Sequence, residues 1–583
     1  MTDLTEAPLT PEVAAERGLT ILDALEIAAQ GTEGFNFHSG KGALTEALTF
    51  GRLAADARAL ARKLLGAGLR PGDRVALIAD TEGDFVRLFF ACGYARIVPA
   101  PMPLPMAFGG REAYIGHVRK MIECADAQAA FAPTAMREWL LEASAGLPLA
   151  IVGTAADLEG VAAHDGELPR PEVDDLAYLQ FSSGSTRFPK GISVTHRQLM
   201  ANATAISRHG LVVRPGDRCV SWLPFYHDMG LVGFMLTPIV AGLTVDYLAT
   251  RDFARRPLLW LELMARNRGT ISYSPSFGFE LSAQRAATVD LGDLDISSWR
   301  CAGIGGDMIR PHVLRRFADR FRRHGFDPAA YVASYGMAEA TLALTFAPLG
   351  EGLRAETLDL DRLENEGVAV ASEAGERTRE FVLCGPALPG HRIEARSADG
   401  TVLAERRVGR IFARGPSLMR DYFREEEATR EALSSDGWLD TGDLGYLTEG
   451  QLVVTGRAKD LILVNGRNVW PQDLEWAVEH GIETLRSGDV AVFSVDAAEG
   501  EEVVALVQCR TAAPDAREAL ATEVSALLRQ RFGTPVTVRL VGAHALPVTS
   551  SGKLSRSRSR ELYLALRASE PEHILQQNIT TSQ

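Results

Sequence analysis

Short apolar runs alternate with helical segments through the first half of the chain, and this alternation is the strongest constraint on its fold. Residues 53–65 are rich in Ala, Leu and Arg and read as a helix, closed by the turn signal Pro71-Gly72-Asp73. Residues 75–79 form a short apolar run that predicts a buried strand, and residues 84–94 read as helical again. Residues 111–124 carry Tyr114, Ile115, Val118, Met121 and Ile122 at helical spacing. Further strands are predicted at 219–222, 244–248, 270–273, 300–304 and 331–334. Short strands separated by helices predict an α/β fold with mostly parallel sheets.

A chain of 583 residues is too long for one hydrophobic core, so at least two domains are expected. The pattern changes after Gly456-Arg457-Ala458-Lys459-Asp460. A strand is predicted at 461–464, and Pro471 suits the first turn of a helix. Strands follow at 490–495 and 502–508, then a helix at 515–531. The expected division is a large domain over 1–458 and a small α+β domain over 459–583.

The formal net charge of −14 argues against broad, sequence-independent nucleic-acid binding, which needs a cationic surface. It leaves a local nucleotide site open. The acidic, proline-broken start has no cationic-then-apolar signal pattern, and no apolar run is long enough to span a bilayer. Six cysteines are scattered singly, without a CxxC pair, which suits free thiols in a reducing cytoplasm.

The strand predicted at 176–181 leads into Ser182-Ser183-Gly184-Ser185-Thr186-Arg187-Phe188-Pro189-Lys190-Gly191. Glycine lets backbone approach an anion, N–H groups and hydroxyls can form a nest around phosphate oxygens, and Lys190 supplies the opposite charge. The run is not a Walker loop, because Pro189 precedes the lysine. Taken alone it also fits a solvated Ser/Gly turn.

Four more motifs follow in order: Ser334-Tyr335-Gly336-Met337-Ala338-Glu339-Ala340-Thr341, Trp438-Leu439-Asp440-Thr441-Gly442-Asp443, the Gly456–Asp460 segment, and Ser550-Ser551-Gly552-Lys553. With the Ser/Gly loop, they make the chain resemble the adenylate-forming (acyl-activating) enzyme superfamily over about residues 46–560. Its signature loop runs [ST]-S-G-[ST]-T-G-x-P-K-G, and Arg187 stands here where glycine is usual. The resemblance implies two αβα-type subdomains and a small β subdomain, followed by a small, mobile α+β domain. It also implies ATP and Mg²⁺ as cofactors.

Residue roles carry over by the same resemblance. Ser182, Ser183, Gly184, Ser185, Thr186 and Lys190 would cradle the phosphates. Gly305, Gly306 and Asp307 would line one face of the adenine, and the segment with Ser334, Gly336 and Met337 would close on the nucleotide. Tyr335 would stack on the base, and Glu339 and Thr186 would hold Mg²⁺. Asp443 would accept both ribose hydroxyls, as a two-oxygen carboxylate can, with Arg457 as the second ribose contact. Lys553 would stabilise charge at the α-phosphate, His227 would lie at the carboxylate end of the acid, and Lys459 would be the hinge between the two domains.

Several segments are similar to the fatty acyl-AMP ligase branch in particular: Tyr226-His227-Asp228-Met229-Gly230-Leu231, Phe108-Gly109-Gly110-Arg111 and Val464-Asn465-Gly466-Arg467-Asn468-Val469-Trp470-Pro471. Residues 347–380 are polar and acidic and fall where that branch carries an insertion; as composition alone they read as a solvated loop. The branch implies a fatty acid as substrate and the phosphopantetheine arm of a holo acyl carrier protein as acceptor, in preference to free coenzyme A. A fatty acyl-CoA ligase of the same fold is the alternative, and a non-catalytic acyl or nucleotide sensor is a further one. Met229, Phe234 and Phe277 are expected in the acyl pocket. Arg556, Arg558 and Arg560 form a basic cluster that could steer an acidic carrier protein or simply face solvent.

Overall fold

The structure is a computed structural model and describes residues 18–105, 110–181, 190–373, 377–464, 467–497, 500–532, 536–549 and 554–569. Its contacts divide the chain into two compact units. The first gathers most of the chain up to Thr455; the second gathers Leu358–Arg379 with Gly456 onward.

The first unit is built on an eight-stranded sheet. From one edge its strands are Ala343–Phe346, Tyr331–Gly336, Cys301–Ile304, Ile271–Ser274, Arg218–Ser221, Thr244–Leu248, Gly34–His38 and Leu44–Thr49. The six inner strands are parallel and the two edge strands antiparallel. A second sheet of four parallel strands orders Val98–Met102, Arg74–Ile78, Ala129–Phe131 and Ile151–Gly153. Such strands are covered on both faces, so they read as continuous apolar runs. The α/β expectation therefore holds, and the five central strands predicted in the sequence appear within a residue or two.

The helices follow from local chemistry. Arg111–Cys124 buries the five apolar side chains that its spacing selects: Tyr114, Ile115, Val118, Met121 and Ile122. Each such burial is worth roughly 1.5–3 kcal/mol. Strand Gly191–Thr195 passes straight into helix His196–Ala205 because Thr195 and Gln198 form a capping box. Beneath the eight-stranded sheet lies an aromatic cluster, in which Trp222 stacks on Phe253 at 3.8 Å and Trp260 meets Trp299 edge-on at 5.1 Å.

The second unit has a three-stranded sheet, Val490–Ala497, Gly500–Cys509 and Thr537–Gly542, with helices Pro471–Gly481, Pro514–Phe532 and Arg556–Ser569. Pro471 occupies the first turn of its helix, where its missing N–H costs nothing. Within 347–380, the solvated-loop reading fails. Helix Leu360–Glu366 forms there, capped by Asp359, and Leu358, Leu360, Leu363 and Ala369 are buried. Its acidic residues mask an apolar i, i+3 pair that composition alone conceals.

Candidate active site

The site is assembled where parallel strands end, the usual place for ligands on open α/β sheets. Strands Cys301–Ile304 and Tyr331–Gly336 lie side by side with Ile304 opposite Ala333. Their carboxyl ends bring Gly305, Gly306 and Asp307 alongside Ser334, Tyr335, Gly336 and Met337. Ser334 Oγ donates to the Ile304 carbonyl at 3.4 Å. Gly306 has a φ of +75°, open to glycine without cost. At Gly336 any Cβ would lie 1.8 Å from the Leu342 carbonyl oxygen, so only glycine lets the strand turn there.

Tyr335 Oη donates to Asp443 Oδ2 at 2.7 Å. Asp443 sits in strand Leu439–Thr448, where its own N–H donates to Thr441 Oγ1 at 3.2 Å. The residues expected at the base and at the ribose are therefore joined directly.

Glu339 lies in the short turn Ala338–Ala340, and its carbonyl accepts from Met419 N at 2.7 Å. Tyr422 Oη donates to Glu339 Oε1 at 2.9 Å. The same ring carries Lys190 Nζ 4.9 Å from its centroid. Burial, then the charge of Glu339, push the Tyr422 phenol well above its ordinary value, so it remains a donor. The turn ends at Thr341, a non-glycine residue at φ +68° held by its Oγ1 donating to the Ser417 carbonyl at 2.7 Å. A backbone conformation of this kind persists only where its surroundings fix it.

Strand Leu176–Phe181 is the last described element before the Ser/Gly run in the sequence. Gln180 Nε2 donates to the Tyr226 carbonyl at 2.8 Å, which ties that strand end to the residue before His227. His227 Nδ1 is 2.6 Å from Asp228 Oδ1. Met229 N donates to His227 Nδ1 at 3.3 Å, so in the neutral ring Nδ1 is the acceptor and Nε2 carries the proton. The following segment, Met229–Leu236, is a wide π-helical turn, and Tyr247 Oη donates to the Phe234 carbonyl at 2.5 Å. π-Turns of this sort concentrate at functional sites.

Of the residues expected in the acyl pocket, Met229 and Phe234 are buried and Phe277 is half-buried. Phe277 meets Trp222 at 5.6 Å, and Phe234 meets Tyr273 at 6.2 Å. In the second unit, Arg457 and Lys459 are exposed, at the end of strand Gln451–Arg457 and in the turn after it. Ser182, Ser183, Gly184, Ser185, Thr186 and Lys553 lie outside the described residues, as do Phe108, Gly109, Asn465 and Gly466. The stem of the Lys553 loop is described: Val548 bridges Leu554, and Ser555 N donates to the Pro547 carbonyl at 2.9 Å.

The basic cluster after that loop needs correction. Arg556 is spent inside the second unit, with Nε and Nη2 donating to Glu475 at 2.7 and 2.6 Å and Nη1 to Asp460 at 2.9 Å. A guanidinium held by two carboxylates offers no charge for docking. Tyr422 was missed in the sequence, since it stands in none of the motifs named there, and Thr341, the last residue of its motif, was assigned no role.

Among the described residues no group of three or more His, Cys, Asp or Glu side chains could hold a metal. One carboxylate such as Glu339 suits Mg²⁺, which takes one or two protein carboxylates and completes its shell with water and substrate phosphates. Nor, among the described residues, is any helix long and apolar enough to cross a membrane.

Comparison with known proteins agrees with this geometry. The AMP-binding enzyme family matches residues 30–423. A protein of Caulobacter vibrioides (strain NA1000 / CB15N), described provisionally as an acyl-CoA synthetase, is 54% identical over 547 residues, covering 94% of this chain and 95% of its own. A medium-chain-fatty-acid–[acyl-carrier-protein] ligase, JamA, of Moorena producens (strain JHB) is 31% identical over 537 residues, covering 89% of this chain and 90% of its own. A solved structure from work on fatty acyl-adenylate ligases of E. coli and L. pneumophila superposes with a TM-score of 0.90 at 43% identity, covering 94% of this chain and 99% of that one. The family match extends over well more than half the chain and includes the strand ends that carry Tyr335, Glu339 and Tyr422, so this protein belongs to the AMP-binding enzyme family.

Proposed function

We propose that this protein activates a fatty acid as acyl-AMP, with release of pyrophosphate, and then passes the acyl group to the phosphopantetheine thiol of an acyl carrier protein. One observation carries the reading: a single short run presents Tyr335 to Asp443 and Glu339 to Tyr422, beside which Lys190 lies. A base-stacking ring, a ribose carboxylate, a metal carboxylate and a phosphate cation are the groups that ATP requires.

In the first step a carboxylate oxygen of the acid attacks the α-phosphorus of ATP in line. The bond from that phosphorus to the bridging oxygen breaks, and its electron pair leaves with pyrophosphate. Asp443 and Arg457 hold the ribose, and Ser182–Thr186 with Lys190 cradle the phosphates. Lys553 is the cation for the charge that develops in the transition state. His227, whose Nδ1 accepts from Met229 N, holds the acid's carboxylate through Nε2–H, and Met229, Phe234 and Phe277 contact its chain. Mg²⁺, when bound through Glu339 and Thr186, neutralises phosphate charge. In the second step the thiol sulfur attacks the acyl carbon, the bond from that carbon to the AMP oxygen breaks, and the thiol proton passes to solvent. Between the steps the domain 459–583 turns about Lys459 relative to 1–458.

Two relatives support different acceptors. JamA is named for an acyl carrier protein, whereas the Caulobacter protein's description favours a second reading, transfer to coenzyme A. Fatty acids of graded length, supplied with Mg²⁺, ATP and either coenzyme A or holo carrier protein, separate the two. The expected result is acyl-AMP, pyrophosphate and acyl carrier product, with Lys553→Ala slowing pyrophosphate release about 100- to 1000-fold. Coenzyme A product in excess would favour the second reading. No mixed anhydride from any aliphatic acid, or undiminished activity in Lys553→Ala, would overturn both.

A further inference from the structure

Tyr422 belongs to none of the motifs that mark the nucleotide site, yet it touches both charged groups that a triphosphate would meet. It occupies a two-residue strand, Asp421–Tyr422, paired antiparallel with Gly191–Thr195 so that Tyr422 faces Ile192. The backbone is fixed on both sides: Arg420 N donates to the Ser193 carbonyl at 3.0 Å and Phe423 N to the Gly191 carbonyl at 2.7 Å. Tyr422 N donates to Thr429 Oγ1 at 2.9 Å. Three residues earlier, Met419 N donates to the Glu339 carbonyl at 2.7 Å. One short segment therefore holds Glu339 by its backbone and, through the Tyr422 hydroxyl, by its side chain.

We infer that Tyr422 is a positioning residue, which aims the Glu339 carboxylate at a divalent cation and holds the Lys190 ammonium at the phosphates of the same nucleotide. The inference rests on the nucleotide reading of this site. A phenol that donates to one carboxylate oxygen fixes the plane of that carboxylate and the direction of its remaining lone pairs. Outer-shell donors of this kind tune metal affinity by about 10- to 100-fold. The ring face beneath Lys190 adds a separate contact, a cation–π interaction that limits where the ammonium swings. The two contacts use different parts of one side chain: the hydroxyl serves Glu339, and the ring serves Lys190. Substitution can separate them.

The test compares wild type, Tyr422→Phe and Tyr422→Leu by calorimetric binding of a non-hydrolysable ATP analogue, with and without Mg²⁺, alongside the Mg²⁺ concentration that gives half-maximal pyrophosphate release. Tyr422→Phe keeps the ring, so binding without Mg²⁺ is expected to equal wild type while the Mg²⁺ requirement rises about 10-fold. Tyr422→Leu is expected to weaken the metal-free analogue as well. A merely structural role would lower thermal stability without changing the ratio of Mg²⁺-supported to metal-free binding. An unchanged ratio and unchanged Mg²⁺ requirement in Tyr422→Phe overturn the inference while leaving the nucleotide reading intact. Failure of wild type to bind the analogue overturns both. Should Tyr422→Leu fail to fold, Tyr422→Phe, which differs by one oxygen, decides alone.

Discussion

Tyr335 and Asp443, 108 residues apart, meet through a 2.7 Å hydrogen bond from the phenol to the carboxylate. A hydrogen bond to a charged group contributes about 1.5–3 kcal/mol, which corresponds to roughly 10- to 100-fold in an equilibrium. Asp443→Ala removes the ribose acceptor and this bond together, so ATP affinity is expected to fall by about 100-fold. Tyr335→Phe keeps the ring and loses only the bond, so a drop nearer 10-fold is expected. Calorimetric titration with ATP checks both. Equal affinity in all three proteins would remove these residues from the nucleotide site.

Within the second unit, Arg379 and Asp473 form a buried ion pair at 2.5 Å, and the guanidinium also lies 5.1 Å from the Trp476 ring centre. Removing one partner of such a pair costs about 3–5 kcal/mol, whereas replacing both by apolar residues is often neutral or stabilising. Arg379→Met and Asp473→Leu singly are expected to lower the unfolding midpoint, and the double variant to restore it. Burial raises the Asp473 carboxyl to about 6, against the pull of Arg379. An acid whose folded value lies above its unfolded one gives stability below the unfolded value, about 3.9, and loses it as pH rises through about 6. The double variant should therefore gain on wild type between about pH 4 and pH 7. A flat difference across that window would refute the assignment.

Asp246 presents the opposite sign. It is buried between strands and accepts from Arg218 Nε at 2.6 Å, Arg218 Nη2 at 3.1 Å and Asn36 Nδ2 at 3.2 Å, with His38 Nε2 at 2.9 Å. Burial alone would raise its carboxyl, but His38 and Arg218 outweigh it and hold it below the ordinary range. The stability it contributes is present above the unfolded value, about 3.9, and is lost as pH falls through the folded one. Asp246→Asn is expected to cost about 3–5 kcal/mol at neutral pH. Thermal midpoints of the two proteins should differ by a constant amount from pH 7 to about 5 and converge only in stronger acid.

Arg556 is expected to be a stability residue, with no part in docking. Arg556→Ala leaves Glu475 and Asp460 without their shared cation and should lower the melting temperature, while charge reversal at Arg558 and Arg560 should not. Transfer kinetics to an acidic carrier protein at low salt, measured for Arg558→Glu with Arg560→Glu, then report on surface charge alone.

Much of this architecture was legible in the linear chain. Helix 111–124 and the strands of the main sheet follow from spacing within a dozen residues, because helical and strand periods are local. The order of the Ser/Gly loop, the Tyr335–Glu339 run, Asp443, Arg457 and Lys553 was equally readable, since each motif is contiguous. Tertiary structure alone decided the rest. Tyr422 reaches Glu339 across 83 residues only because its strand registers with Ile192. The polar stretch before Arg379 folds because Leu358, Leu360 and Leu363 are each buried, and Arg556 leaves the surface because Glu475 and Asp460 converge on it. Periodicity specifies which face of an element is apolar. Which distant side chain meets it depends on sheet register and packing, which no local window of sequence contains.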